Sequence, residues 1–455
     1  MLAVGGGLGM VLAAALPAHA QTPAAPAPQA PPAAANKSEQ DKQYDAAFQE
    51  MLRQPANLDV LFRFAAIATQ TGDLEGAISA LERMLLINPN LPRVRLELGV
   101  LYFRLGSYEV AREYLDGALK SPNVPAEVRT RAEQYMAQIE NQQKASHLHG
   151  EAFLGFRYQS NANLGPATSS VRLFGQTANL NQSAVGGPDW GAVSTVQLRH
   201  TYDFGTQDKA TLETFFTGYA NRQFQLSAAN VSLVDLTIGP RFQILSSSFE
   251  DVTVKPLLAG GAIWVNDTPY YASWGGGVEV NSMLSDRLRN ISTVIWRRHD
   301  NQDTSYLPTN SLFRGTEYSA TTVFPFDITQ IVSLFASGST QRFLSDLAPW
   351  QSYQLWGLGG GMNFRFLDPV LKTGLPWNVS LTASNQWWHY DAPDPTVDPT
   401  TYRDQSDFIV NLTLAVPFDE RTTFSVSGGR FVRSATLPNY AFENNNFMFG
   451  ISWRF

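Results

Sequence analysis

The 455-residue sequence contains no cysteine. Cytosolic chains of this length ordinarily carry a few, so the absence fits an oxidising envelope compartment. It also excludes disulfides and thiolate metal sites. Charge is scarce: Asp, Glu, Lys and Arg make up 16% of residues, and the net charge is −7. That balance gives no nucleic-acid footprint. Past residues 2–16, no apolar run is long enough to read as a spanning helix. The six histidines (His19, His147, His149, His200, His299 and His389) are scattered. His147 and His149 stand one strand period apart with no partner motif for a metal. His200 and His299 have no spacing to a Ser and a carboxylate that would suggest a hydrolase. No Walker-type loop and no G-x-S-x-G elbow occurs. The expectation is a protein without catalytic residues, metal or cofactor, and not an enzyme.

What the chain does have is aromatic residues, at 12%, and strong local periodicity. Residues 2–16 are rich in Ala, Gly, Leu and Val, and Ala18-His19-Ala20 follows as an A-x-A cleavage site. Residues 1–20 therefore read as a signal peptide, with Gln21 as the mature start. No Lys or Arg precedes the apolar stretch, which leaves the true start open. Residues 21–36 are almost entirely Ala, Pro, Gln and Thr, a composition that buries no core and reads as an extended linker.

Residues 37–147 carry helical periodicity and a self-similarity at an offset of 34. Gly72 recurs as Gly106, Ala77 as Ala111 and Leu81 as Leu115, while Pro89 and Pro122 end the two copies. This resembles the tetratricopeptide repeat, a helix-turn-helix of that length. The glycines would permit the turn, and the alanines a close helix approach. Two repeats are expected over about 58–123, with flanking helices at 39–54 and 125–143. The resemblance implies that the first helix of each repeat lines a concave groove. Its residues there would be Asp59, Phe62, Ala66, Thr69 and Gln70, then Arg93, Leu96, Val100, Phe103 and Arg104. A groove mixing Phe with Arg suits an extended peptide; simple packing of the repeats against the barrel mouth is the competing expectation.

From residue 148 to 455 the period changes to two. Fourteen alternating segments follow: 149–160, 189–204, 208–223, 229–244, 251–266, 269–283, 287–299, 312–325, 329–344, 350–366, 376–391, 402–417, 421–434 and 442–455. Each is long enough to cross a bilayer at the tilt of a barrel strand, and the number is even. The expected fold is α+β multidomain: N-terminal helical repeats and a C-terminal fourteen-stranded antiparallel transmembrane β-barrel. Connections 161–188, 300–311 and 392–401 are long and should face outside, whereas Leu284 to Arg287, Phe326-Asp327 and Phe418 to Glu420 are short. The last strand carries Phe447, Phe449, Ile451, Trp453 and Phe455 at every second position. Phe449, Ile451, Trp453 and Phe455 are expected to form a barrel-assembly signal. Strand 287–299 is mixed on both faces and is left unassigned.

The first barrel strand adds Gly155-Phe156-Arg157-Tyr158-Gln159-Ser160-Asn161-Ala162-Asn163-Leu164. It looks like the G-x-x-Y-x-S-N-x-N-L opening of the barrel domain in the Slam family, the surface lipoprotein assembly modifiers. Signal peptide, repeats and barrel together resemble that family over essentially the whole mature chain. The resemblance implies an outer-membrane protein that assists translocation and surface display of protein clients, lipoproteins or secreted proteins, received by periplasmic repeats. Outer-membrane lipid and the barrel-assembly machinery would be its other partners. The residues expected to bind a client are Asp59, Phe62, Thr69, Gln70, Arg93, Leu96, Phe103 and Arg104. The competing readings are an exopolysaccharide-export barrel, whose relatives usually carry many more repeats, and a porin-type barrel with an accessory domain. A fourteen-stranded lumen is wide enough for plugging loops or an unfolded chain.

Overall fold

The computed structural model describes residues 34–142, 144–206, 209–244 and 252–455. The expected signal peptide and residues 21–33 of the linker lie outside the described residues. No described helix is long and apolar enough to cross a membrane. The described residues form two compact units, one of helices up to Lys144 and one of strands from Ala145.

The helical unit runs α1 (Ala34–Arg53), α2 (Leu58–Thr71), α3 (Leu74–Ile87), α4 (Pro92–Arg104), α5 (Tyr108–Leu119) and α6 (Ala126–Gln142). Helix α1 begins three residues inside the Pro/Ala-rich stretch. The turns α2–α3 and α4–α5 are made by Gly72 and Gly106 at φ +91° and +75°, a backbone region that side chains rarely tolerate. Asn57 caps α2 by accepting from the Asp59 and Val60 amides. Asp73 caps α3 through Oδ1 at 2.9 Å from the Gly76 amide, and its Oδ2 accepts the Tyr44 hydroxyl of α1 at 2.6 Å. One carboxylate thus starts a helix and ties down its neighbour. The core is built from the repeated positions: Leu61, Phe64, Ala77 and Leu81 in the first hairpin, Leu98, Ala111 and Leu115 in the second. Each buried Leu or Phe is worth roughly 1.5–3 kcal/mol. A Cβ on Gly99 would lie 2.6 Å from Leu115 Cγ, so α4 and α5 meet more closely than any side chain there would allow.

The strand unit is a closed barrel of fourteen antiparallel strands. They are β1 (Ser146–Gln159), β4 (Asp189–Asp203), β5 (Thr211–Gln223), β6 (Val231–Gln243), β7 (Val252–Val265), β8 (Thr268–Ser285), β9 (Leu288–Asp300), β10 (Gly315–Asp327), β11 (Val332–Ser345), β12 (Tyr353–Phe366), β13 (Trp377–Tyr390), β14 (Asp404–Pro417), β15 (Thr422–Ala435) and β16 (Phe442–Arg454). No end differs by more than three residues from the alternation read in the sequence. Strand β1 pairs with β16 from Glu151↔Arg454 to Gln159↔Asn446. The seam ends in a reciprocal pair: Gly150 N donates to Phe455 O at 2.9 Å, and Phe455 N donates to Gly150 O at 3.0 Å. A small hairpin, β2 (Ser170–Leu173) with β3 (Gln176–Asn179), stands inside the long first connection and was not expected from the sequence.

Alternate residues face out. Leu154, Leu258, Trp274, Trp356, Leu358 and Leu412 are exposed on the protein surface, as the outward apolar band of a membrane barrel requires. Trp274 and Trp296 meet edge-to-face at 5.1 Å within it. Strand β9 now has faces. Val294, 59% exposed, points outward together with Asn290, Ser292 and Trp296, while Arg297 and His299 point into the lumen. Its outward polar residues bond to one another and to β10: the Ser292 hydroxyl donates to Asn290 Oδ1 at 2.9 Å, and Asn290 Nδ2 donates to Thr322 Oγ1 of β10 at 2.8 Å. That cluster is what blurred the alternation. The expected long/short alternation of connections has exceptions at both ends: residues 367–376, between β12 and β13, make a ten-residue connection at the short-connection end. Asn266 and Asp267, both at positive φ (49° and 59°), join β7 to β8 as a two-residue hairpin at the long-connection end.

Leu358 is 63% exposed on the apolar band. Leu358→Arg is expected to destabilise the folded barrel by about 2–4 kcal/mol, read from denaturant titration in lipid vesicles. A change under about 0.5 kcal/mol would mean that this face is not in hydrocarbon.

Candidate functional site

Two regions of the molecule carry the candidate site, the first helices of the repeats and the barrel lumen. In the repeats, Asp59, Ala66, Gln70, Arg93 and Arg104 are exposed. Arg93 reaches Glu127 of α6 at 3.7 Å. Phe62 is half-buried against the core of the first hairpin. The Thr69 hydroxyl donates to Ala65 O at 2.8 Å, within its own helix. Leu96 does not line a groove: it is 1% exposed and packs with Val100, Leu115, Val128 and Ala132. Helix α6 lies on that side of the second repeat and converts the position into core. Phe103 is likewise drawn into packing, with ring centres 5.6 Å from Tyr108 and 5.4 Å from Tyr135. The presented surface is therefore more polar than the sequence suggested.

Carboxylates fix the tyrosines of this unit. The Tyr44 hydroxyl is pushed up to about 12, first by its hydrogen bond to Asp73 and then by burial. Tyr102 and Tyr114 stack at 5.5 Å, and both hydroxyls donate to Glu82 Oε1, at 2.9 and 3.2 Å. Burial and then the Glu82 charge push Tyr114 up to about 12. Neither group carries a proton that moves near neutral pH, so these are structural bonds rather than acid–base machinery.

In the barrel, the 155–164 segment has a visible job. Where β1 ends, Asn161 N donates to Asn444 Oδ1 of β16 at 3.1 Å. The Asn161 side chain closes a turn on Gly165, donating to its carbonyl at 2.8 Å and accepting its amide at 3.0 Å. Asn163 does the same across the loop, donating to Val185 O and accepting from the Gly187 amide. The turn points Leu164 into a cluster of Leu355, Trp388, Tyr390, Ile409, Phe431 and Phe442 from five lumen-facing strands. Further along, the hairpin β2–β3 is held by bonds from the Phe174 and Gly175 amides to Thr396 O and Val397 O. Asn439 grips both backbone groups of Arg172. The first connection is thus packed into the barrel mouth.

The lumen wall also carries charge. Arg241 donates to Glu213 at 2.8 and 2.9 Å and to Glu279 at 2.6 Å, and Lys255 lies 3.2 and 3.5 Å from the same two carboxylates. Arg297 holds Asp235 at 2.7 Å. Asp407 is fully buried and accepts two bonds of 2.6 Å from Arg433. None of these was singled out from the sequence. The signal was there: a charged residue on the inward parity of an otherwise apolar strand belongs to a lumen.

The four residues expected to guide assembly lie on the lipid side of β16. Phe449 meets Phe156 at 5.9 Å across the seam, and Ile451 and Trp453 are exposed. The Phe455 ring occupies the space that a Cβ on Gly150 would need, 2.3 Å away. An aromatic ring over an edge glycine protects the backbone of the closing pair.

Residues 65–140 match the tetratricopeptide-repeat family. No curated protein matches this chain. Solved structures do resemble part of it. The Yersinia enterocolitica type III secretion chaperone SycD, in complex with a peptide of the translocator YopD, is 19% identical over 24% of this chain and 88% of that one, with a TM-score of 0.22. The TPR2B domain of yeast Sti1, in its pHsp70 complex, is 20% identical over 24% and 88%, and the Aspergillus fumigatus Sgt2 TPR domain 23% identical over 24% and 74%, both with a TM-score of 0.22. Helical repeats of this type joined to a closed transmembrane barrel fit an outer-membrane protein.

Two outcomes are expected. Asp407→Ala leaves the buried Arg433 without its carboxylate and should cost about 3–5 kcal/mol in a denaturant titration of the barrel. In the helical unit, a tyrosine whose folded value is raised stabilises the fold below its ordinary value near 10, and that contribution is lost as pH climbs toward about 12. The helical melting temperature should therefore fall between pH 10 and 12, less steeply in Tyr44→Phe, as followed by circular dichroism. Equal pH profiles in both proteins would remove the Tyr44–Asp73 bond from the account.

Proposed function

We propose that this protein lies in the bacterial outer membrane with its repeats in the periplasm, and that it assists translocation and surface display of partner proteins, surface lipoproteins or secreted proteins. It is proposed to act as the Slam family does, with the repeats receiving the client. The observation that carries the reading is the pairing of tetratricopeptide repeats with a fourteen-stranded barrel whose mouth is filled by the segment bearing the Gly155 to Leu164 motif. A passive porin needs a water-filled lumen. A mouth packed with Leu164, Trp388, Tyr390 and Phe431 supports a conduit that opens for its cargo.

Chain topology supports the orientation. The repeats join the barrel where β1 begins. The long connections 160–188, 301–314 and 391–403 leave the opposite end, and turns such as 286–287 return at the first. Long outside and short inside is the outer-membrane habit. In the repeats, Asp59, Gln70, Arg93 and Arg104 are exposed polar residues, a composition suited to a peptide or a small folded face.

The test is made in cells. Protease on intact cells should cut an epitope placed in 161–188 and spare one near residue 130; the reverse pattern overturns the topology. Replacing Asp59, Gln70, Arg93 and Arg104 together by Ser leaves the cores untouched, so barrel abundance and heat-modifiability should stay at wild-type levels. Surface display of the client, an envelope protein encoded nearby, should fall several-fold. Normal display of every neighbouring surface protein alongside loss of a capsule or matrix polysaccharide would favour an export pore instead.

A further inference from the structure

Within the barrel, between β8 and β13, lies a cavity of about 80 Å³. Its wall is aromatic: Tyr270, Tyr271, Phe313, Phe343, Tyr353 and Tyr390 all line it. The rings brace one another, with Phe343 and Tyr353 stacked at 5.6 Å and Tyr353 and Tyr390 at 5.4 Å. One acid, Glu317, and one histidine, His299, line the cavity, and no Lys or Arg does. Glu317 is held in place. Gln341 Nε2 donates to its Oε2 and to the Tyr353 hydroxyl, both at 2.9 Å.

Two further lining groups have a polar atom left without a partner. Asn301 is 1% exposed; its amide nitrogen donates to Tyr270 O at 3.1 Å and to Asn310 Oδ1 at 3.3 Å. That leaves Asn301 Oδ1 buried without a partner. The Tyr390 hydroxyl is also buried without one. A buried polar atom left without a partner is costly, so such groups usually mark a missing hydrogen-bonding ligand.

From this geometry we infer that the cavity is a binding site for a small organic ammonium group. Faces of tyrosine and phenylalanine attract a cation through their quadrupoles, and a fixed carboxylate with two free acceptors satisfies its N–H groups. An anion would meet the Glu317 carboxylate, with His299, 3.3 Å from it, as the one basic side chain in the lining. A metal ion is a poor fit, because among the described residues no three His, Cys, Asp or Glu side chains stand together. The cavity has room for several waters, and so for an ammonium head. The same chemistry could reach the site as the head of an ethanolamine-type compound or as a lysine side chain of a passing polypeptide. The inference stands independently of the translocation reading.

Trp388, whose ring centre lies 4.7 Å from that of Tyr353, supplies the reporter. The full chain, folded in detergent micelles, would be titrated with methylammonium, tetramethylammonium, ethanolamine and N-acetyl-lysine amide, and with tert-butanol as a neutral control, reading tryptophan fluorescence. At least one ammonium should give a saturable change at least tenfold tighter than the alcohol. Ethanolamine against N-acetyl-lysine amide separates the two sources. Glu317→Gln should weaken binding about tenfold. Tyr390→Phe, which keeps the ring and removes only the hydroxyl, should weaken it several-fold while heat-modifiability remains normal. An alcohol that binds as well as the amines, no saturable response to any amine, or full affinity in Tyr390→Phe would leave a water-filled void and overturn the assignment.

Discussion

Everything in the strand unit depends on the pairing of β1 with β16. In hydrocarbon an unpaired N–H or C=O has no water to turn to, so a spanning sheet is tolerated only when it has no edge. The register Glu151↔Arg454 to Gln159↔Asn446 removes the edge, and the reciprocal Gly150–Phe455 bonds finish it. Phe153 shows how tightly the seam is drawn: its ring fills the space above the facing glycines Gly155 and Gly450. Closure by fourteen strands then creates a second problem, an interior wider than side chains alone readily fill.

The interior is solved in two ways. Toward the long-connection end, the chain folds its own first loop inward, and Leu164 completes an apolar cluster contributed by β12 through β16. Along the wall, several charges are buried in company. Glu213, Arg241, Lys255 and Glu279 neutralise one another as two acids and two bases, and Asp407 is matched by Arg433. Such pairs contribute little net stability against an apolar replacement, yet each is costly to break singly.

The helical unit follows a different economy. It has no closure to satisfy, only hairpins that must cover each other's apolar faces. Asp73 and Glu82 link neighbouring helices through tyrosine hydroxyls, and α6 covers the second repeat where the chain turns toward the barrel. That cover costs the groove its apolar anchors. Leu96 and Phe103 stabilise the stack, and the expected groove positions left exposed are the polar Asp59, Gln70, Arg93 and Arg104.

The sequence by itself determined the elements. Period-two alternation located all fourteen strands, because a strand with lipid on one side and lumen on the other must alternate. The offset of 34 located both hairpins, because turn glycines and contact alanines have few substitutes. It also marked the motif running to Leu164, without saying what Asn161 and Asn163 do. Only the tertiary structure decided the rest. Whether a repeat position faces a groove or a neighbouring helix depends on where α6 lands, which Leu96 alone cannot report. The hairpin β2–β3, the filled mouth and the aromatic cavity at Glu317 arise from residues far apart in the chain, such as Asn161 with Asn444 and Arg172 with Asn439. Local periodicity carries no record of such partners, since they become neighbours only once the barrel closes.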